Sequence, residues 1–106
     1  MKVEELNIAD KEQWRLLYCG YADFYQMPMN ERILESVWSW IFDKNNKFYA
    51  IGVKSTDDIL IGFMHYRDMP SPLRGTIVGF LDDLYVHPDY RGSGAVQALF
   101  RELRKI

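Results

Sequence analysis

Chemistry in this chain concentrates in one stretch, Leu84-Tyr85-Val86-His87-Pro88-Asp89-Tyr90-Arg91-Gly92-Ser93-Gly94-Ala95. Leu84, Tyr85 and Val86 read as the end of an apolar strand, and Pro88 stops that strand because proline has no N–H for a ladder. Arg91-Gly92-Ser93-Gly94 then opens an apolar helical pattern that continues to Ile106. Glycines let a backbone approach a ligand closely, and the first free N–H groups of a helix are anion donors. A strand, a glycine loop and a helix in this order make a phosphate cradle. Few other side chains invite chemistry. Cys19 is the sole cysteine, no CxxC or Cys/His cluster has zinc spacing, and neither His65 nor His87 has a sequence partner that suggests a metal site or a triad.

The stretch resembles the acetyl-coenzyme A signature of the GCN5-related N-acetyltransferase (GNAT) superfamily: a strand, a proline, then Arg/Gln-x-x-Gly-x-Gly/Ala opening a helix. Here it reads Arg91-x-x-Gly94-x-Val96, with valine where a small residue is usual. The resemblance implies acetyl-CoA as co-substrate and no metal. Arg91, Gly92, Ser93, Gly94, Ala95 and Val96 would hold the pyrophosphate, the Leu84 N–H would polarise the thioester carbonyl, and Val86 would pair with the pantetheine arm. Phe80-Leu81-Asp82-Asp83-Leu84-Tyr85-Val86 is further similar to the fourth strand of the polyamine and diamine acetyltransferases. By that likeness Asp82 binds the acceptor amine or removes its proton, through a water because aspartate is short, whereas Asp83 is structural. Tyr21 and Tyr25, at the junction of two helices, would wall the acceptor pocket and hold an alkylammonium by cation–π attraction.

The implied activity is acetyl transfer from acetyl-CoA to a primary amine, a small amine or a polyamine. A catalytically silent acyl-CoA-binding module, or a fragment without turnover, is the alternative. In the family a tyrosine on a later helix protonates the leaving thiolate, and none of the 106 residues occupies that position; Tyr85 is expected to pack instead.

Composition limits the other classes. With 13 basic against 15 acidic residues and a net charge of −2, the chain lacks the basic excess of a nucleic-acid binder. The longest apolar run, Ile59 to Met64, is too short to cross a bilayer, and Lys2-Val3-Glu4-Glu5 does not open a signal peptide. A cytoplasmic protein is expected.

These residues need positioning elements. Val3 to Ile8 reads as a strand. Asp10 and Gln13 suggest a capping box for a helix carrying Trp14, Leu17, Tyr18, Tyr21 and Tyr25, which Gly20 could bend or end. Asn30 caps a second helix with Ile33, Leu34, Val37, Trp38 and Ile41 on its buried stripe, leaving Trp40 exposed or at an interface. Phe48–Lys54 and Ile59–Tyr66 form a hairpin, Arg67–Gly75 a long loop with Pro70 and Pro72, and Thr76–Val86 a strand bulged at Asp82-Asp83. A helix from Ser93 carries Val96, Leu99, Phe100 and Leu103 on one face and ends in the basic Arg101, Arg104 and Lys105.

The order β-α-α-β-β-β-α gives an α/β (α+β) protein with a mixed, mostly antiparallel sheet. Residues 1–106 are expected to be one domain, the N-terminal part of a GNAT fold whose C-terminal strands and helix are absent. A fourth strand left at the sheet edge predicts self-association, most simply as a homodimer.

Overall fold

The structure is a computed structural model that describes residues 1–103. Strand β1 (Lys2–Glu5) leads through a short 3-10 helix (Ile8–Asp10) into α1 (Lys11–Phe24) and α2 (Glu31–Phe42). Strands β2 (Phe48–Lys54), β3 (Leu60–Ser71) and β4 (Thr76–Val86) follow, then a 3-10 turn (Pro88–Tyr90) and α3 (Ala95–Leu103). The sheet order is β1-β2-β3-β4, and its three pairings are all antiparallel.

Helices cover both faces of the sheet, and this explains the unbroken apolar run in β3. Along that strand Phe63 and His65 turn toward α1 and α2, while Met64 and Tyr66 turn toward α3. The first face packs Leu6, Trp14, Leu17, Leu34, Val37 and Trp38 against Phe63 and Tyr85. The second packs Ile51, Val53, Ile61, Met64 and Val86 against Ala95 and Leu99. A strand buried on both sides has no polar face to alternate with.

Several local expectations are corrected. β1 ends at Glu5, not Ile8, because Asn7 caps the 3-10 helix: its side chain accepts from the Ala9 N–H at 2.9 Å, and Asp10 accepts from the Asn7 N–H at 2.9 Å. The capping box is therefore Asn7 with Asp10, and Asp10 makes no side-chain cap on α1. Asp10 instead meets buried Lys54 at 2.9 Å, and Glu4 reaches the same ammonium at 3.1 Å. Gln13 accepts from the Leu60 N–H at 2.6 Å, tying α1 to the sheet. Asn30 caps α2 as expected, accepting from the Ile33 N–H at 2.9 Å.

Gly20 does not end α1. A Cβ there would lie 3.0 Å from the Tyr85 hydroxyl, so glycine lets the helix lie against β4. The expected loop from Arg67 is mostly strand, since β3 runs to Ser71 and Pro70 pairs with Ile77. β2 reaches only as far as Arg67 along β3, so Pro70 sits where one side of the strand has no neighbour and a missing N–H costs no ladder bond. α3 starts at Ala95 rather than Ser93, and Val96 is exposed rather than on the buried face with Leu99. The basic positions Arg104 and Lys105 lie outside the described residues. No described helix is long and apolar enough to cross a membrane.

Candidate active site

The bulge in β4 falls at Asp82. His65 pairs with Asp83 and Tyr66 with Leu81, leaving Asp82 as the extra residue. An extra residue breaks the two-residue alternation, and both carboxylates of the pair reach the same cavity. This cavity, of about 350 Å³, lies against α1, α2 and the sheet and is lined by Tyr18, Val37, Trp40, Phe48, Arg67, Asp82 and Asp83.

The two carboxylates meet different surroundings. Asp83 belongs to a chain of hydrogen bonds that begins in the core. The Trp14 indole N–H donates to His65 Nε2 at 3.0 Å, and His65 Nδ1 lies 2.8 Å from Asp83 Oδ2. The Tyr18 hydroxyl donates to the same oxygen at 3.2 Å. An indole nitrogen can only donate, so Nε2 must keep its lone pair, and the proton of a neutral imidazole sits on Nδ1, facing Asp83. His65 is fully buried, and burial holds its pKa below the ordinary histidine value despite the opposing pull of Asp83. Burial works to raise the Asp83 carboxyl, but the His65 N–H and the hydroxyls of Tyr21 and Tyr18 outweigh it and hold the pKa below the usual carboxylate range. Burial, together with Asp83, pushes the phenols of Tyr18 and Tyr21 well above their ordinary value.

Asp82 is less provided for. Its Oδ1 faces Arg67 Nε at 3.2 Å, and its Oδ2 is buried without a hydrogen-bond partner, the one such side-chain atom among the described residues. A native structure leaves few buried polar atoms unpaired, and each calls for an explanation such as a water or a ligand.

Two and four residues beyond Asp82, about 7 and 13 Å along a strand, stand Leu84 and Val86. The His87 N–H donates to the Ile61 carbonyl at 2.8 Å, which fixes the phase of the ladder. Alternate residues of an antiparallel strand aim their backbone groups at opposite edges. Val86 and Leu84 therefore turn theirs away from β3, toward the edge of the described sheet. There the Val86 carbonyl accepts from Arg91 Nε at 3.2 Å, and the guanidinium lies 5.1 Å from the Phe24 ring and 5.4 Å from the Tyr85 ring. Arg91 thus braces the loop against β4 and the end of α1.

Gly92 and Gly94 have φ of +84° and +93°, a region that strains any residue with a Cβ. Nothing lies within 4 Å of where a Cβ at Gly92 would be, so the loop is open there, while the Met1 side chain comes within 3.5 Å of where a Cβ at Gly94 would be. The first turn bond of α3 runs from the Ala98 N–H to the Gly94 carbonyl at 3.0 Å. The N–H groups of Ala95, Val96 and Gln97 precede it and point out of the helix start, where the helix dipole also favours an anion. These residues fit a pyrophosphate. Ser93 is exposed on the same loop.

Tyr21 packs among Tyr18, Tyr25, Phe63 and Tyr85, and Tyr25 is more than half exposed. Neither lines the acidic cavity; Tyr18, Trp40 and Phe48 do. Sequence reasoning had no signal for Phe48, which reaches the site only through sheet pairing, and none for His65, whose partner Asp83 is fixed by register. No group of three or more His, Cys, Asp or Glu placed to hold a metal ion occurs among the described residues.

Residues 11–106 match the family model described as Acetyltransferase (GNAT) family. Among solved structures, the chain is similar to a ribosomal-protein-alanine N-acetyltransferase from Brucella melitensis, with 28% identity, a TM-score of 0.77, and coverage of 99% of this chain and 70% of that one. It is also similar to an aminoglycoside antibiotic 6'-N-acetyltransferase from Acinetobacter baumannii (19% identity, TM-score 0.77, 97% and 68% covered). A possible acetyltransferase from Clostridium difficile shows the same fold at 17% identity, with a TM-score of 0.80 and 98% and 68% covered.

Proposed function

Because the chain belongs to the GNAT acetyltransferase family, we propose that it uses acetyl-CoA to acetylate the primary amine of a small molecule held in the cavity beside the β4 bulge. The observation that carries this reading is Asp82. It is the extra residue of the bulge, it lines the cavity, one of its oxygens is buried without a partner, and it lies two residues before Leu84.

Acetyl-CoA supplies an activated acyl group, and the amine must arrive neutral to attack it. In this proposal Asp82 accepts the ammonium proton through a water. The Leu84 N–H at the strand edge polarises the carbonyl, Val86 pairs with the pantetheine arm, and Arg91, Gly92, Ser93, Gly94, Ala95 and Val96 hold the pyrophosphate. Tyr21 and Tyr25 form the outer aromatic wall at the helix junction. We further propose that residues 1–106 act as one domain, in the cytoplasm, and that two copies pair through the β4 side. The exposure of Ile77 and Phe80 on β4 and of Leu73 in the adjoining turn favours that pairing.

The deciding experiment follows coenzyme A thiol release with a panel of primary amines, for the wild type and Asp82→Asn. Turnover near pH 7 should fall about 100-fold in the variant and recover at high pH, where the amine loses its proton unaided. Affinity for acetyl-CoA should not change. A normal pH–rate profile in Asp82→Asn would remove Asp82 from the chemistry. Tight acetyl-CoA binding with no thiol release for any amine would favour a silent binding module.

A further inference from the structure

We propose that Arg67 is a specificity-determining residue that restricts the acceptor to amines with one positive charge on an apolar body and excludes diamines and polyamines. This inference rests on the acceptor reading above and goes against the polyamine likeness of the β4 sequence.

It follows from the charges and partners at the cavity. Asp82 and Asp83 each bring a negative charge and Arg67 a positive one. His65, behind Asp83, brings none, because the Trp14 N–H occupies its Nε2 lone pair. The site therefore carries one net negative charge, enough to neutralise a single ammonium. The partners of the two carboxylates differ accordingly. Asp83 Oδ2 already accepts from His65 and Tyr18, which ties that carboxylate to the core, whereas Asp82 is matched only by the Arg67 ion pair and is the carboxylate left to meet an ammonium.

Arg67 is not free to swing away at no cost. Its Nε lies 3.2 Å from Asp82, and its guanidinium sits over the Phe80 ring at 5.1 Å, although the side chain is half exposed. These two contacts keep a cation at the rim. The rest of the wall is apolar or aromatic: Val37, Trp40, Phe48 and the Tyr18 ring. Such a surface takes an alkyl or aryl body well. A second ammonium on that body would meet a guanidinium and no spare carboxylate. Selectivity commonly comes from a repulsive element of this kind as much as from attraction.

The test compares hexylamine with 1,6-diaminohexane, which share a six-carbon chain and differ in the ammonium at the far end. In wild type, kcat/KM should favour hexylamine by about tenfold, the order expected for one like-charge interaction in a partly solvated cavity. Arg67→Gln should lower that ratio to about one or less by raising activity on the diamine, and Arg67→Lys, which keeps the charge, should preserve it. Any effect of leaving Asp82 Oδ1 unpaired acts on both amines and cancels in the ratio, and circular dichroism checks that each variant is folded. Equal or better use of the diamine by wild type, or an unchanged ratio in Arg67→Gln, would overturn the inference while leaving amine acetylation intact. Thiol release with neither of these amines nor any other in the panel would sink the acceptor reading and this inference with it.

Discussion

Replacing His65 by leucine should unfold the protein more readily at neutral pH and, at the same time, remove much of its sensitivity to mild acid. Leucine fills most of the space of the imidazole, so the cost comes from polar groups rather than from a large cavity. Trp14 loses the acceptor for its buried indole N–H, and Asp83 loses the donor at 2.8 Å. A buried polar group left unsatisfied costs about 1–3 kcal/mol, and hydrogen bonds to a charged group lie toward the upper end. Together these give about 3–5 kcal/mol, a large part of the 5–15 kcal/mol total of an ordinary domain. The melting temperature should drop by roughly 15–30 °C.

The pH dependence has a definite sign. The unfolded chain accepts a proton on this histidine near pH 6.5, whereas folded His65 resists it because it is buried and its Nε2 is occupied. The unfolded state thus binds more protons below that pH, and wild-type stability falls as pH falls from 7.5 to 5.5, by up to roughly 1 kcal/mol. Asp83, whose carboxyl is held below its ordinary range, adds a second loss only in more strongly acid solution, as pH falls from the unfolded carboxylate pKa through the folded one. Thermal unfolding followed by circular dichroism at the two pH values measures the effect. The gap between wild type and His65→Leu should narrow at the lower pH, by up to roughly 1 kcal/mol. An NMR titration placing the folded His65 imidazole near 6.5, or a gap that stays constant with pH, would refute the neutral, Trp14-capped histidine.

Three further outcomes are expected. Gly94→Val, at a φ of +93°, should weaken acetyl-CoA binding at least about 30-fold by calorimetry while costing about 1–2 kcal/mol of stability; unchanged affinity would move the pyrophosphate site elsewhere. Gly20→Ala gains helix propensity of about 1 kcal/mol but drives a methyl to 3.0 Å from the Tyr85 hydroxyl, so the melting temperature should fall by a few degrees, and a rise would mean that Tyr85 yields freely. Light scattering after size-exclusion chromatography should give the mass of a dimer at tens of micromolar, and a well-folded monomer would show that the β4 edge protects itself.

The elements that carry a local signal were legible in the sequence. Asn30, the glycine loop and the hairpin around Ser55–Asp58 state their conformations within a few residues, through a cap, positive-φ positions and a tight turn. The errors arose where a residue's partner is distant. Asp10 reads as a helix cap until β2 brings Lys54 to it, and Gly20 reads as a helix breaker until Tyr85 stands beside it. Pro70 reads as loop because the ending of β2 opposite Arg67, which makes the strand tolerant of proline, is invisible locally.

The same limit governs the acidic pair. Asp82 and Asp83 are chemically identical neighbours, and nothing within a few residues of either says which one is free. The bulge places Asp83 opposite His65 and gives it two identified hydrogen-bond partners, Tyr18 and His65, at one oxygen, while Asp82 gets one guanidinium and keeps an oxygen unpaired. Moving the bulge by one residue, so that Asp82 faced His65 and Asp83 became the extra residue, would exchange these surroundings. It would put the carboxylate held ionised by the core where the unpaired one now stands, two residues before Leu84. The division of labour between the two carboxylates is therefore a property of where the bulge falls in β4, and His65, bonded to Trp14 on one side and to Asp83 on the other, ties that arrangement to the core.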